Sequence, residues 1–326
     1  MDKNNMNKHV DVFYDFVDKA CMAIYDDIHL DYLESFIIVS NAITRITNED
    51  VDLMDNSFYD KRLSSKCVKK LAKIYLDLEQ YEFRSEEVRL ATELILIKGF
   101  KARNLLLDFV TPDTINYLFS YIINSIIRYN KDFSNLENIR IMDTVLGTGN
   151  LVQTIINNSE ANISACGIEH DELLVHIAKS FNDLLDNELV INYQNALDDN
   201  YNNCDIVIGD FGESKELYDI ILKRLDNLDD GYFIYLINND FFEKASEDFK
   251  KKLISVSTLI GLIVLPKNFV ANGHVGKSIL IGKKEVLTDY RLGVIQIDED
   301  FSQENINSTF NKIDKMINKI NKLEEN

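Results

Sequence analysis

The stretch I-R-I-M-D-T-V-L-G-T-G-N-L-V, from Ile139 to Val152, reads as an apolar strand ending in Asp143, a tight turn bracketed by Gly147 and Gly149, and the start of a helix. Lacking side chains, the two glycines let backbone N–H groups approach a ligand closely at a helix amino terminus, where those donors have no partner within the helix. A dinucleotide loop of Rossmann type requires a third small residue three positions after the second glycine, and that position holds Val152. NAD is therefore disfavoured. Taken alone, the stretch is equally an ordinary glycine-containing turn.

The pattern around it narrows the choice. Short apolar runs at Ile139 to Asp143, Ile163 to Ile168, Leu189 to Asn192, Asp205 to Ile208, Gly231 to Ile237, Thr258 to Leu265 and Ser278 to Gly282 alternate with helical stretches such as Asn150 to Asn158, Glu172 to Leu185 and Lys215 to Asn227. Such alternation predicts an α/β fold, doubly wound, with a mostly parallel Rossmann-like sheet that binds ligands at the carboxyl ends of its strands. The second strand ends C-G-I-E-H-D, which places Glu169 twenty residues beyond the glycine turn, where an acid can take both hydroxyls of a ribose. The third leads into Y-Q-N-A-L-D and the fourth is C-D-I-V-I-G-D-F-G. Upstream, F-V-T-P-D-T-I-N-Y-L opens a helix with a Thr-Pro pair, and downstream comes V-L-P-K-N-F-V-A-N-G-H-V-G-K-S-I-L-I.

In that order, over roughly residues 105 to 284, these segments resemble the adenine-N6 type of S-adenosylmethionine (SAM)-dependent DNA methyltransferase, in particular the methylation subunits of restriction systems and small bacterial relatives. The resemblance implies a SAM site in which Thr111, Asp143, Gly147 and Gly149 hold the methionyl part and Glu169 the ribose. Asn195 stands where the family carries an Asp for the adenine amino group of SAM, and its carbonyl can accept the same hydrogen bond without the charge. The family's catalytic tetrapeptide is Asp, Asn or Ser followed by Pro-Pro and an aromatic. Its polar side chain and a backbone carbonyl accept the hydrogens of the target amine, and its aromatic stacks on the flipped-out base. Here the aligned residues are Gly209, Asp210, Phe211 and Gly212: a carboxylate and an aromatic, each displaced by one position, with no proline. The proline usual after Asp143 is replaced by Thr144. Either Asp210 and Phe211 form a variant catalytic site, or the site has decayed and the fold serves SAM binding or protein contact.

Other candidates carry less. His170 and His176 are six residues apart, not the four of a zinc pair on a helix, so surface or capping roles fit and no metal is expected. His274 lies in a loop that either covers the site or simply connects strands, and the Lys277-Ser278 pair is expected to hold that loop. Cys21, Cys67, Cys166 and Cys204 are too scattered for a metal knuckle or a disulfide framework and read as small buried hydrophobes.

The first hundred residues read as helices. Phe13, Val17, Ala20, Cys21, Ile24 and Ile28 recur at helical spacing, as do Leu63, Cys67, Leu71, Ile74, Tyr75 and Leu78. We therefore expect an all-helical amino-terminal domain over residues 1–104 and a SAM-binding domain over 105–326, extended by a strand near Leu292 to Ile297 and a final amphipathic helix marked by Phe310, Ile313, Ile317, Ile320 and Leu323. The helical domain is either a substrate-recognition element or a dimerisation surface, the latter making a homodimer. No apolar run approaches the roughly 20 residues of a membrane span, and no signal-peptide pattern opens the chain, so a cytoplasmic, membrane-free protein is expected. A formal charge of −19 opposes avid, nonspecific nucleic-acid binding. The acids are concentrated, however: residues 132–240 carry 21 acids and 5 bases, whereas residues 243–284 carry 3 acids and 8 bases, leaving a locally basic stretch for a nucleic-acid partner. A second basic cluster is Lys61, Arg62, Lys66, Lys69, Lys70 and Lys73.

Overall fold

A computed structural model describes residues 3–105, 107–134, 136–198, 203–212, 214–269, 275–288, 290–300 and 302–324. The chain forms two compact units, and the division is not a single cut. One unit comprises Met1–Val110 with Gly147–Gln153 and Asp171–Asn187; the other comprises Thr111–Leu146, Thr154–His170 and Glu188–Asn326.

The first unit is helical. Helices α1 (Lys3–Ile28), α2 (Tyr32–Asn48), α3 (Ser65–Leu78) and α4 (Ser85–Ala102) are followed in this unit by α8 (Glu172–Leu185). The stripes read from the sequence face inward: Phe13, Val17, Ala20, Cys21 and Ile24 of α1 and Cys67, Leu71, Tyr75 and Leu78 of α3 are buried in one apolar cluster, which Leu174, Ile177, Phe181 and Leu185 of α8 join. Local chemistry sets the helix starts. Asp31, Ser64 and Asp171 accept the backbone N–H groups of Leu33, Cys67 and Leu174 respectively, each supplying a partner to a donor the helix leaves open. The basic cluster lies on and before α3, where Lys61, Lys66, Lys69, Lys70 and Lys73 are exposed.

The second unit is built on a sheet. Its strands are β1 (Ile139–Asp143), β2 (Ile163–Glu169), β3 (Leu189–Tyr193), β4 (Cys204–Asp210), β5 (Leu228–Asn238), β6 (Thr258–Val264), β7 (Lys277–Lys283) and β8 (Gly293–Gln296). Among the described residues they form one sheet in the order β3-β2-β1-β4-β5-β7-β6-β8. All neighbours are parallel except β7, which runs antiparallel to both β5 and β6. The doubly wound, mostly parallel sheet expected from the sequence is thus present, and the strand near Leu292 to Ile297 is its edge strand β8.

Both faces of the sheet are covered within the unit. On one side Met142, Cys166, Val207, Phe233, Tyr235 and Leu280 pack with Ile220, Ile221 and Leu225 of α9 (Leu217–Asn227), with Phe241 of the one-turn α10 (Phe241–Lys244), and with Phe249 and Leu253 of α11 (Glu247–Val256). By the two-residue alternation of a strand, Ile206, Ile208, Ile234 and Ile281 face the other way. That side carries α5 (Asp113–Tyr129) and the short α6 (Lys131–Ser134), where Phe133 meets the Tyr232 ring edge-on at 5.7 Å and Asn130 donates to the Tyr232 hydroxyl at 3.2 Å. The carboxyl-terminal helix α12 (Gln303–Glu324) lies there too, stacking Phe310 on Tyr121 of α5 at 3.9 Å and setting Met316 over Gly261 and Gly293. The remaining helix, α7 (Asn150–Asn158), begins in the first unit and ends in the second. Among the described residues no helix is long and apolar enough to cross a membrane. All four cysteines are buried thiols.

Strand order reverses between β1 and β4: β2 and β3 succeed β1 on one side, while β4 and β5 lie on the other. A sheet of this kind opens a crevice at such a switch point, outside the carboxyl ends of the strands. The residues that end β1 and β4 are Asp143 and Asp210.

The sheet's central packing gives a direct test. Gly282 of β7 pairs with Phe233 of β5, and a Cβ on it would lie 2.0 Å from the Phe233 ring. Gly282→Ala overpacks this position and should lower stability by about 1–3 kcal/mol in urea unfolding followed by circular dichroism. Phe233→Leu in the same chain should recover part of the loss.

Candidate active site at the strand ends

The turn after β1 is fixed to its neighbours by backbone bonds. Thr144 donates both its N–H and its hydroxyl to the Ile208 carbonyl at 3.0 Å, and Leu146 donates its N–H to the Ile168 carbonyl at 2.8 Å. Asp143, the last residue of β1, is 1% exposed. One oxygen accepts the Val145 N–H at 3.3 Å. Burial pushes the Asp143 carboxyl up to about 7; the Val145 hydrogen bond works against this, and the neighbouring charges of Asp210 and Glu169 add to it.

Those neighbours are the other acids of the site. Glu169 ends β2, is 7% exposed, and accepts the His170 N–H at 2.7 Å. Asp210 ends β4, with one oxygen accepting the Thr111 hydroxyl at 3.0 Å and the other lying 3.1 Å from the Lys277 ammonium and 3.4 Å from the Gly212 N–H. Thr111 precedes Pro112, the cap of α5, and its carbonyl accepts from Asn116 at 3.0 Å, which fixes the residue that orients Asp210. Asn195 follows β3 by two residues and is half-buried. Its side-chain oxygen closes a local turn by accepting the Leu197 N–H at 2.7 Å, leaving one lone pair.

Gly147 and Gly149 belong to the first unit. Both have positive φ, 56° and 79°, the left-handed region that a side chain strains. A Cβ on Gly147 would lie 3.1 Å from the Phe109 carbonyl oxygen, which also accepts the N–H and the hydroxyl of Thr148 at 3.3 and 3.0 Å. Glycine is thus required at 147 twice, by its dihedral and by its neighbour.

Three expectations change. Gly209 has no room for a side chain, since a Cβ there would lie 2.7 Å from the Thr144 hydroxyl oxygen. The carboxylate at the end of this strand is that of Asp210, one residue later. Phe211 is not exposed as a stacking platform: it is 5% exposed and packs edge-on against Tyr235 at 5.2 Å. His274 lies outside the described residues. Second, Lys277 does more than hold a loop. It heads the one strand running against the rest, which carries its ammonium to the carboxyl edge and onto Asp210, with the two side chains 12% and 7% exposed. Third, the basic stretch 243–284 is not a bare positive face. Lys244, Lys250, Lys252, Lys277 and Lys283 each have a carboxylate within 4 Å, in Asp240, Glu247, Asp226, Asp210 and Glu285.

No protein-family profile matches the chain. The uncharacterized protein YtxK of Bacillus subtilis is 27% identical over 284 residues, covering 80% of this chain and 82% of that protein. Among solved structures, a candidate class I S-adenosylmethionine-dependent methyltransferase from Listeria monocytogenes superposes with a TM-score of 0.77 at 20% identity, over 95% of this chain and 99% of that one. The methyltransferase subunit of a type I restriction-modification system from Streptococcus thermophilus gives a TM-score of 0.61 at 14% identity, over 97% and 90%. A modification subunit of a candidate type I restriction enzyme from Vibrio vulnificus gives 0.64 at 12%, over 93% and 89%. The fold is that of class I SAM-dependent methyltransferases, and it extends through the helical amino-terminal region as well as the sheet.

The raised carboxyl of Asp143 has a measurable consequence. The folded state holds this proton up to about pH 7, whereas the unfolded chain releases it near the ordinary carboxylate value of 3.8. Its contribution to stability is therefore fully present below pH 4 and lost as pH rises to 7. Asp143→Asn removes that dependence. The ligand-free variant should be more stable than the parent at pH 8 by on the order of 3 kcal/mol, and indistinguishable from it near pH 4, in thermal unfolding across that range.

Proposed function

We propose that the chain is a SAM-dependent N-methyltransferase, acting on an amino group, with the adenine amino group of nucleic acid as the acceptor that the resemblance to restriction-system methylation subunits supports. One observation carries the reading: the carboxylates of Asp143, Glu169 and Asp210 gather at the switch point of the sheet, and the innermost is held partly protonated by burial and by the other two. Such a site gains most from a cationic ligand. SAM carries an ammonium, a sulfonium and a ribose diol, which suit a cluster of carboxylates.

In this reading Thr111 and Asp143 meet the methionyl end, with Gly147 and Gly149 giving backbone access, Glu169 accepts the ribose hydroxyls and Asn195 accepts from the adenine amino group. When bound, SAM supplies an electrophilic methyl group. An exocyclic amine is a poor nucleophile because its lone pair is delocalised into the ring. Asp210, oriented by Thr111 and Lys277, accepts hydrogen bonds from that nitrogen and favours the lone pair's turning outward. No metal is required, and no covalent bond to the protein is made.

A second reading has its own observation. The Lys277 ammonium already pairs with Asp210, and Phe211 is buried, which suits a SAM-binding protein that no longer transfers methyl groups. The two readings separate on one experiment with tritiated SAM and oligonucleotide, RNA and cell-extract acceptors. The methyltransferase reading predicts label in an acceptor with the parent protein and a loss of at least about 100-fold with Asp210→Ala, while SAM binding by that variant persists. No label with any acceptor, from a protein that binds SAM, selects the second reading. If the acceptor is nucleic acid, its binding weakens steeply as salt rises, and salt-insensitive labelling points to a different amine.

A further inference from the structure

We infer that the helical unit sets the conformation of the glycine turn through one buried network, Arg89–Glu93–Asn150, so that these three residues are positioning residues for the cofactor. The inference rests on the SAM-binding reading above and adds a role for the helical region.

The turn from Gly147 to Gln153 is held at three points within the first unit. Thr148 bonds the Phe109 carbonyl, as described. Gln153, fully buried, donates to Asn182 of α8 at 3.1 Å and accepts from Asn187 at 2.7 Å. Between them stands Asn150, the first residue of α7, 1% exposed. Its side-chain oxygen accepts from a terminal nitrogen of Arg89 at 3.3 Å, and its amide donates to Glu93 at 3.2 Å. Arg89 is fully buried on α4 and donates to Glu93 at 3.3 Å with the same nitrogen, while its other two nitrogens grip Glu86 at 2.9 and 2.8 Å.

This chemistry is costly for a helix start. An asparagine here needs no partner beyond the helix, and a buried guanidinium is retained only where its donors are matched, because removing one partner strands a charge in the interior. The network therefore fixes the Asn150 side chain to α4. What the turn offers a ligand is then its backbone, in the orientation that Asn150 dictates.

The test transposes the charge. In Asn150→Asp two carboxylates face each other across Arg89. In the double variant Glu93→Gln with Asn150→Asp, the negative charge moves across the pair, and every donor regains an acceptor at unchanged net charge. Calorimetry should show SAM affinity at least about tenfold weaker for the single variant and within about threefold of the parent for the double one. Hydrogen exchange of the 147–153 amides, measured without ligand, should speed up in the single variant and return to the parent rate in the double. Parent-like affinity and exchange in Asn150→Asp would overturn the inference. So would a double variant that recovers the parent's thermal midpoint yet stays tenfold weak for SAM. A parent protein that fails to bind SAM sinks the functional reading instead, and the exchange rates still decide whether the network sets the turn.

Discussion

The structure depends on an electrostatic constraint at the switch point of its sheet. Parallel strands that reverse order at β1 and β4 must end side by side, and here the residues at those ends are acids. Asp143 is sealed from water, with Glu169 and Asp210 close enough to oppose its ionisation. A protein gains nothing in stability from this arrangement, since burying like charges together penalises the folded state. Sites that store such a penalty are characteristically ones that a ligand relieves.

The surroundings make sense as responses to that constraint. Lys277 reaches Asp210 because β7 runs against its neighbours, delivering a cation to an edge where every other strand delivers its carboxyl end. Thr111 takes the second oxygen of the same carboxylate, so Asp210 is oriented while Asp143 is left to titrate. Thr144 fills the space beside Gly209 and double-bonds the Ile208 carbonyl, which fastens β1 to β4 where the two acids emerge. Each of these side chains is small or paired, and each leaves the crevice end of Asp143 unneutralised by a salt bridge among the described contacts.

Much of this was legible in the sequence. The strands alternate apolar runs with helices, and β1, α7 and α8 fall where periodicity and glycine placed them, because a buried parallel strand has no polar face to confuse its limits. Asp143, Gly147, Gly149 and Glu169 were recognisable from their spacing along one strand-turn-helix-strand unit. What was hidden depends on strand order. Nothing near Lys277 announces that its strand is antiparallel, and so its approach to Asp210 was not visible. The depth of Phe211 was hidden likewise, for an aromatic after a strand reads the same whether it points into the crevice or packs on Tyr235. Asn150 lies 61 residues from Arg89 and 57 from Glu93, and no local pattern links it to them.

In the proposed function a cationic cofactor relieves Asp143. It is tested most directly by titrating SAM calorimetrically at pH 6.5 in two buffers of different ionisation enthalpy. Binding to the parent should show a buffer-dependent heat that corresponds to release of a substantial fraction of one proton, and Asp143→Asn, if it binds at all, a buffer-independent heat. Binding that releases no proton, or release that persists in Asp143→Asn, would contradict it.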